Sequence, residues 1–279
     1  MLSALTGSAV GSVLWALPTE PSLVPVLGIA AALTVLGALD DAIAVPVLWR
    51  LIGQALASIV LVLSLPQDVQ LFPGLIPLPV ERALIALGIV WFVNAVNFLD
   101  GLDWMTVVQV VPITLGTALL CALGAVPASI GLLALSLLVA TLGLAIFNRH
   151  PAQIFLGDAG SLPIGLCLAF LLIFVAQAHF AAALLLSFYT LADSTLTLFR
   201  RIFAREQIWS AHRTHFYQRG VAAGLSVPQV TARVLLLQIE LAGLAIATVL
   251  AGSLIVDLLC LGLGVLTTGL LFFALVNGR

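Results

Sequence analysis

The chain has 279 residues, 62% of them hydrophobic and only 8% charged, with a mean hydropathy of +1.25, far from the roughly 25% charged content of a soluble domain. These figures exclude a soluble globular protein and give no reason to expect a nucleic-acid partner. The net charge of −2 carries little information, because in a membrane protein the distribution of charge matters more than its sum.

Apolar runs near the roughly 20 residues needed to cross a hydrocarbon core recur along the whole length. Stretches such as 130–147 and 254–276 are apolar without alternation, so the spans are helices and not barrel strands. Ten spans are expected, at 2–17, 23–39, 47–65, 82–98, 104–123, 128–147, 161–178, 180–199, 231–250 and 254–276. The fold class is an all-α polytopic membrane bundle in one domain, 1–279. The first run lacks a basic leader and is followed at once by a second, which argues against a cleaved signal peptide. Cys121, Cys167 and Cys260 all lie in apolar runs and are odd in number, so they are expected to be packing residues.

An even number of spans puts both termini on one face. Arg50, Arg149, Arg200, Arg201, Arg205, Arg213, Arg219, Arg233 and Arg279 share that face and Arg82 alone lies opposite, which makes the shared face cytoplasmic by the positive-inside rule. Arg200 and Arg201 are expected mainly to set topology. Asp68, Glu81 and His179, on the other face, are expected as solvated turn residues, and His150 beside Pro151 as structural.

Five polar elements come to the cytoplasmic level. Ionisable groups near membrane depth are costly, so their gathering points to function. The pair Asp40-Asp41 repels itself, which calls for a raised pKa or a cation. Asn94, Asn97 and Asp100 fall about one helical turn apart, and Gly101 permits a backbone break before Leu102 and Asp103. In Gly157-Asp158-Ala159-Gly160-Ser161, glycines flank a carboxylate just before a span, leaving helix-terminal amides toward a ligand and Asp158 as a magnesium ligand. Asp193 is either a buried charge partner or a site residue. The loop 200–219 carries His212, Arg213, His215 and Arg219 among Trp209, Phe216 and Tyr217, a set suited to phosphate oxygens and a stacked base.

At LDD (39–41), NAVNFLDGLD (94–103), IFLGDAGS (154–161) and AHRTHFYQRG (211–220) the chain resembles the polyprenyl-phosphate N-acetylhexosamine-1-phosphate transferase superfamily, glycosyltransferase family 4. That superfamily includes the phospho-N-acetylmuramoyl-pentapeptide translocases and the undecaprenyl-phosphate N-acetylglucosamine-1-phosphate transferases. The four motifs stand in the family's order. The resemblance implies transfer of a sugar 1-phosphate from a UDP-sugar to undecaprenyl phosphate at a bacterial inner membrane, with Mg²⁺, or Mn²⁺ in its place, as cofactor. It implies Asp40, Asp41, Asn97 and Asp100 as catalytic groups, Asp158 as metal ligand, and Gly101, Leu102, Asp103 and Phe155 around the nucleotide. Asn94, His212, Arg213, His215 and Arg219 are implied on the substrate phosphates. A homodimer is an open expectation.

Three departures stand out. No basic, glycine-rich loop precedes residue 23, so the chain reads as lacking one amino-terminal helix and loop of the family. Ala42-Ile43-Ala44 follows Asp41 without a further charge, and Trp104 replaces a glycine common after the second aspartate. A transporter of an anionic solute and an inactive family member are the alternative readings. A transporter would show paired broken helices and charges near the bilayer centre.

Overall fold

In the computed structural model, residues 23–207 and 212–278 are described. The helices in chain order are α1 (Leu23–Ile43), α2 (Val47–Ser64), α3 (Leu78–Phe98), α4 (Met105–Ala122), α5 (Ala128–Phe147), α6 (Asp158–Ala178), α7 (Phe180–Phe203), α8 (Phe216–Ala222), α9 (Val227–Ala251) and α10 (Leu254–Val276). Nine of these, all but α8, are long and apolar enough to cross a membrane, and the protein is a polytopic membrane bundle. The expected span at 2–17 and Trp209 lie outside the described residues.

Several helices run past their expected ends. Helix α1 continues through Asp40 and Asp41, and α6 starts at Asp158, three residues before the expected span. The apolar run stops at the first polar residue, whereas backbone hydrogen bonding carries the helix on into the interface. The starts of α2, α3 and α5 follow Pro46, Pro77 and Pro127, whose φ of −55 to −57° is already helical and whose missing N–H costs nothing there.

Helix α6 forms the centre, with α1, α3 and α7 packed around it. Leu162, Leu166, Phe170 and Leu171 are buried on it, the all-round apolar pattern of an enclosed helix. Gly37 lets α1 approach closely, since a Cβ there would strike the carbonyl oxygen of Asp158. Helix α4 packs against α5 and α9, and α10 turns Leu254, Ile255, Leu258 and Leu266 outward, where a lipid-facing helix places its apolar side. Many hydroxyls inside the spans return to their own helix, as Ser58 does to the Gln54 carbonyl (2.8 Å) and Thr117 to that of Ile113 (2.9 Å), which pairs them within hydrocarbon, whereas Thr268 on α10 is buried without a partner.

At the end of the bundle away from Asp40, two expectations fail. Glu81 is 2% exposed and His179 is largely enclosed, its Nε2 lying 3.6 Å from Asp257. The turn after α2 folds back over the start of α3, and the Leu71 amide donates to Glu81 Oε1. Asp68 is exposed as expected.

Candidate active site

The carboxylates are placed by the ends of α1, α3 and α6. Asp40 and Asp41, adjacent in the last turn of α1, do not share one cation. Asp40 pairs with Arg50 of α2, while Asp41 turns to the start of α6 and accepts from the amides of Asp158 (3.0 Å) and Ala159 (3.1 Å). Mutual repulsion is thus relieved by two different partners, a guanidinium and the positive end of a helix. The helix-terminal amides expected to face a ligand are occupied by Asp41 instead. Gly157, at φ +67°, makes this possible, because a Cβ would come within 2.5 Å of Asp41 Oδ2.

Arg50 also reaches Asp158, with Nη1 2.8 Å from Oδ2, so one guanidinium links carboxylates 118 residues apart in sequence. Sequence reasoning had counted Arg50 only as a topology charge. The charge missing directly after Asp41 comes from the next helix. Asn97, near the end of α3, donates to the other Asp158 oxygen and to Ser161 Oγ, both at 2.8 Å, and so fixes the carboxylate's orientation.

Beyond α3, Asp100 accepts from the Thr106 hydroxyl, and its carboxyl is pushed up to about 7, first by burial and further by the charges of Asp158 and Asp41. It therefore keeps a proton well into the neutral range. Asp103 accepts from the Ala152 amide (3.0 Å) and lies 2.7 Å from His150 Nδ1, tying the turn after α3 to that after α5. The same junction holds Asn148, which donates to the Ile154 carbonyl (2.9 Å) and accepts the Trp104 amide (2.7 Å). Trp104 sits at φ +67°, a conformation glycine takes without strain, which accounts for glycine serving well at this point of the pattern. Its indole donates to the Ala145 carbonyl (2.8 Å), which anchors the ring away from the cavity.

Asn97, Asp100, Gly101, Leu102, Asp103, Phe155 and Asp158 all line one cavity of about 280 Å³, joined by Asn148, Leu156 and Gly157. Phe155 is 76% exposed at its edge, a free aromatic face. Asn148 is the cavity residue that the sequence did not single out. Its signal was an amide at a span end, three residues before a proline.

Asn94 lies one helical turn deeper and donates to Gln54 Oε1 and to the Val90 carbonyl, outside the cavity. The described residues of the loop after α7 also stay outside its lining. Asp193, fully buried on α7, accepts from the amides of Phe216 (3.1 Å) and Tyr217 (3.4 Å) and from Thr197, and lies 3.0 Å from His215 Nδ1. The even choice for Asp193 thus resolves to a buried partner that seats α8, with His215 as its anchor. Arg200 donates to the Thr214 carbonyl (2.6 Å), and Arg201 is buried on Glu206, so both organise the loop and do not face lipid freely.

His212 stacks on His215 at 4.9 Å, and burial together with neighbouring positive groups lowers its pKa to about 4. It is a neutral imidazole at pH 7, not a cation for phosphate. Arg213 is exposed, and Arg219 lies 5.7 Å over the Phe216 ring. The loop meets the cavity from behind: Tyr217 donates to the Phe98 carbonyl (3.0 Å), and its hydroxyl fills the space a Cβ on Gly101 would need.

Among the described residues no cluster of three or more His, Cys, Asp or Glu side chains that could hold a metal ion gathers. Mg²⁺, however, characteristically takes one or two protein carboxylates and leaves its other positions to water and substrate phosphate. Asp158 and Asp100 across one cavity, the first raising the cost of charge on the second, are a donor set that fits such a hard divalent ion.

These features define a class: a membrane-embedded helical bundle with an acidic, amide-lined cavity at one membrane face. The chain belongs to glycosyl transferase family 4, whose sequence model matches residues 23–176. It is 29% identical over 238 residues to a probable undecaprenyl-phosphate N-acetylglucosaminyl 1-phosphate transferase of Bacillus subtilis, covering 81% of this chain and 65% of the relative. A decaprenyl-phosphate N-acetylglucosaminephosphotransferase of Mycobacterium leprae is 29% identical over 72% of this chain and 58% of its own length. A phospho-N-acetylmuramoyl-pentapeptide-transferase of Enterococcus hirae is 32% identical over 62% of this chain and 58% of its own. The chain thus spans less than two thirds of the length of each of these relatives.

Proposed function

We propose that the protein transfers a sugar 1-phosphate, an N-acetylhexosamine 1-phosphate by analogy with its relatives, from a UDP-sugar to undecaprenyl phosphate in cell-envelope polysaccharide synthesis. An oxygen of the lipid phosphate attacks the β-phosphorus of the donor, the bond from that phosphorus to the bridging oxygen breaks, and UMP leaves with the electron pair. The observation that carries this reading is the convergence of Asn97, Asp100, the 101–103 turn, Phe155 and Asp158 on one cavity at a membrane face, open to a water-soluble donor and level with a lipid head group.

Two anionic phosphates must meet, so the protein's task is positioning and charge neutralisation. Asp158, oriented by Asn97, and Asp100 would hold Mg²⁺, which when bound polarises the donor diphosphate. Arg50 lies where its guanidinium can hold a phosphate oxygen of donor or acceptor beside Asp40. Gly101, Leu102 and Asp103 frame the uridine, and the exposed Phe155 ring stacks on the uracil. Arg213 and Arg219, on the loop after α7, add positive charge to the same membrane face. Since Arg50, Arg149, Arg200 and Arg201 share this face and Arg82 lies opposite, the site faces the cytoplasm of a bacterial inner membrane. The transporter reading requires paired broken helices, and the nine described spans each run as one helix.

The test is UMP release by purified protein in detergent with undecaprenyl phosphate, Mg²⁺ and a panel of UDP-sugars. Release with one donor, dependent on both lipid and metal, is expected. Silence with every donor would leave the inactive-member reading in its place.

A further inference from the structure

At the face opposite the candidate active site, α3, α6 and α7 enclose a groove of about 410 Å³ whose walls are almost wholly apolar. Leu84 and Ile85, then Leu172 and Ile173, line its sides, and the Phe72 and Phe180 rings, 5.1 Å apart, stand at its mouth. One group does not match this lining. Glu81, 2% exposed, lines the groove with Oε1 held by the Leu71 amide, while Oε2 is buried without a partner. The neighbouring cation Arg82 donates instead to the carbonyls of Val62 and Pro66. A buried carboxylate oxygen left unpaired is costly, so its position calls for a donor from outside the chain.

Length narrows the choice. From Glu81 to Trp91, which lines the inner end, α3 rises about 15 Å at 1.5 Å per residue, half of a hydrocarbon core about 30 Å thick. The groove therefore has an acidic head at one membrane interface and an apolar shaft one leaflet deep. We infer that it is a binding site for a phospholipid with a primary ammonium head group, a phosphatidylethanolamine, whose N–H donors meet Glu81 and whose acyl chain fills the shaft. A negatively charged head group is repelled by Glu81. The acceptor lipid of the proposed reaction is excluded on the same ground, and its phosphate has to reach the opposite face. The inference does not depend on the transfer reaction.

Native mass spectrometry of the purified protein, equilibrated with phosphatidylethanolamine, phosphatidylcholine or phosphatidylglycerol of identical acyl chains, tests it. Wild type is expected to retain phosphatidylethanolamine about tenfold over phosphatidylglycerol, the ratio a single charge-assisted contact supplies. Glu81→Gln should level that preference while hydrocarbon binding persists. Gly88 lines the groove, and a Cβ on it would meet nothing within 4 Å, so Gly88→Phe should lower occupancy by all three lipids. If Glu81→Gln does not fold, wild type alone decides: phosphatidylcholine keeps the charge but lacks N–H donors, and equal retention of it with phosphatidylethanolamine overturns the proposal. So does a Glu81→Gln protein that keeps the wild-type preference, or displacement of phosphatidylethanolamine by undecaprenyl phosphate.

Discussion

The two ends of the bundle use carboxylates in opposite ways. At the active-site end each acid has a partner within the chain: Asp40 has Arg50, Asp41 two helix amides, Asp103 the Ala152 amide and His150, and Asp158 both Asn97 and Arg50. At the other end Glu81 keeps one oxygen unpartnered in an apolar groove. Charges held in place by neutral and cationic partners form a cavity organised before any substrate arrives, which suits chemistry that depends on position. An unmatched carboxylate oxygen in an apolar groove suits recognition of one head group. If the comparison holds, substitutions at the first end change turnover and those at the second leave it alone.

The largest effect is expected at Asp158. Asp158→Asn should lower turnover by about 10²–10³-fold, the scale for losing one group that stabilises developing charge, with the fold retained by circular dichroism. Wild-type turnover in this variant would remove Asp158 from the metal role. Arg50→Met leaves Asp40 and Asp158 facing each other without their shared cation and should reduce kcat/KM by about tenfold or more, whereas Arg50→Lys, a point charge without the forked geometry, should lose less. Equal kinetics for the two variants would mean that Arg50 acts as packing.

Next comes the contact between loop and cavity. Gly101→Ala should destabilise the protein by about 1–3 kcal/mol through overpacking against the Tyr217 hydroxyl. Tyr217→Phe in the same chain should recover part of the loss, so thermal unfolding of the pair should fall short of additivity. Strict additivity would show that the two do not touch. A smaller effect attaches to His212, whose folded pKa of about 4 lies below the ordinary 6.5. The unfolded chain binds the proton first, so the loop's stability is complete above about pH 6.5 and is lost as pH falls toward 4. Hydrogen exchange across 212–219 should quicken over that window, and His212→Gln should remove the dependence. Smallest of all, Glu81→Gln should leave UMP release at its wild-type rate.

Much of this was legible in the sequence, and what was not has a common cause. The bilayer fixes the depth of a residue from its place along a span, so Asp40, Asn97, Asp100 and Asp158 could be brought to one level from the sequence alone. Direction around the helix axis depends on which helices pack together. For that reason the sequence did not show that Asp41 would cap α6, that Arg50 would turn inward to bridge two acids, or that Asn94 would face Gln54. The same limit applies at the far end, where burial of Glu81 follows from the 66–77 segment folding over α3, a loop path that periodicity does not encode. His212 and His215 were read as phosphate ligands from their residue type; the burial of His215 and its contact with Asp193 give it the work of seating the loop, with His212 stacked on it.

The most direct test of the central claim uses a UDP-sugar labelled with ³²P at the β-phosphorus, supplied with undecaprenyl phosphate and Mg²⁺ to the protein in vesicles. The account predicts that the label enters the lipid fraction in wild type, with unlabelled UMP in the water phase, and does so far more slowly in Asp158→Asn. Label that stays in water-soluble products for every donor, or that reaches lipid equally fast in both proteins, would contradict it.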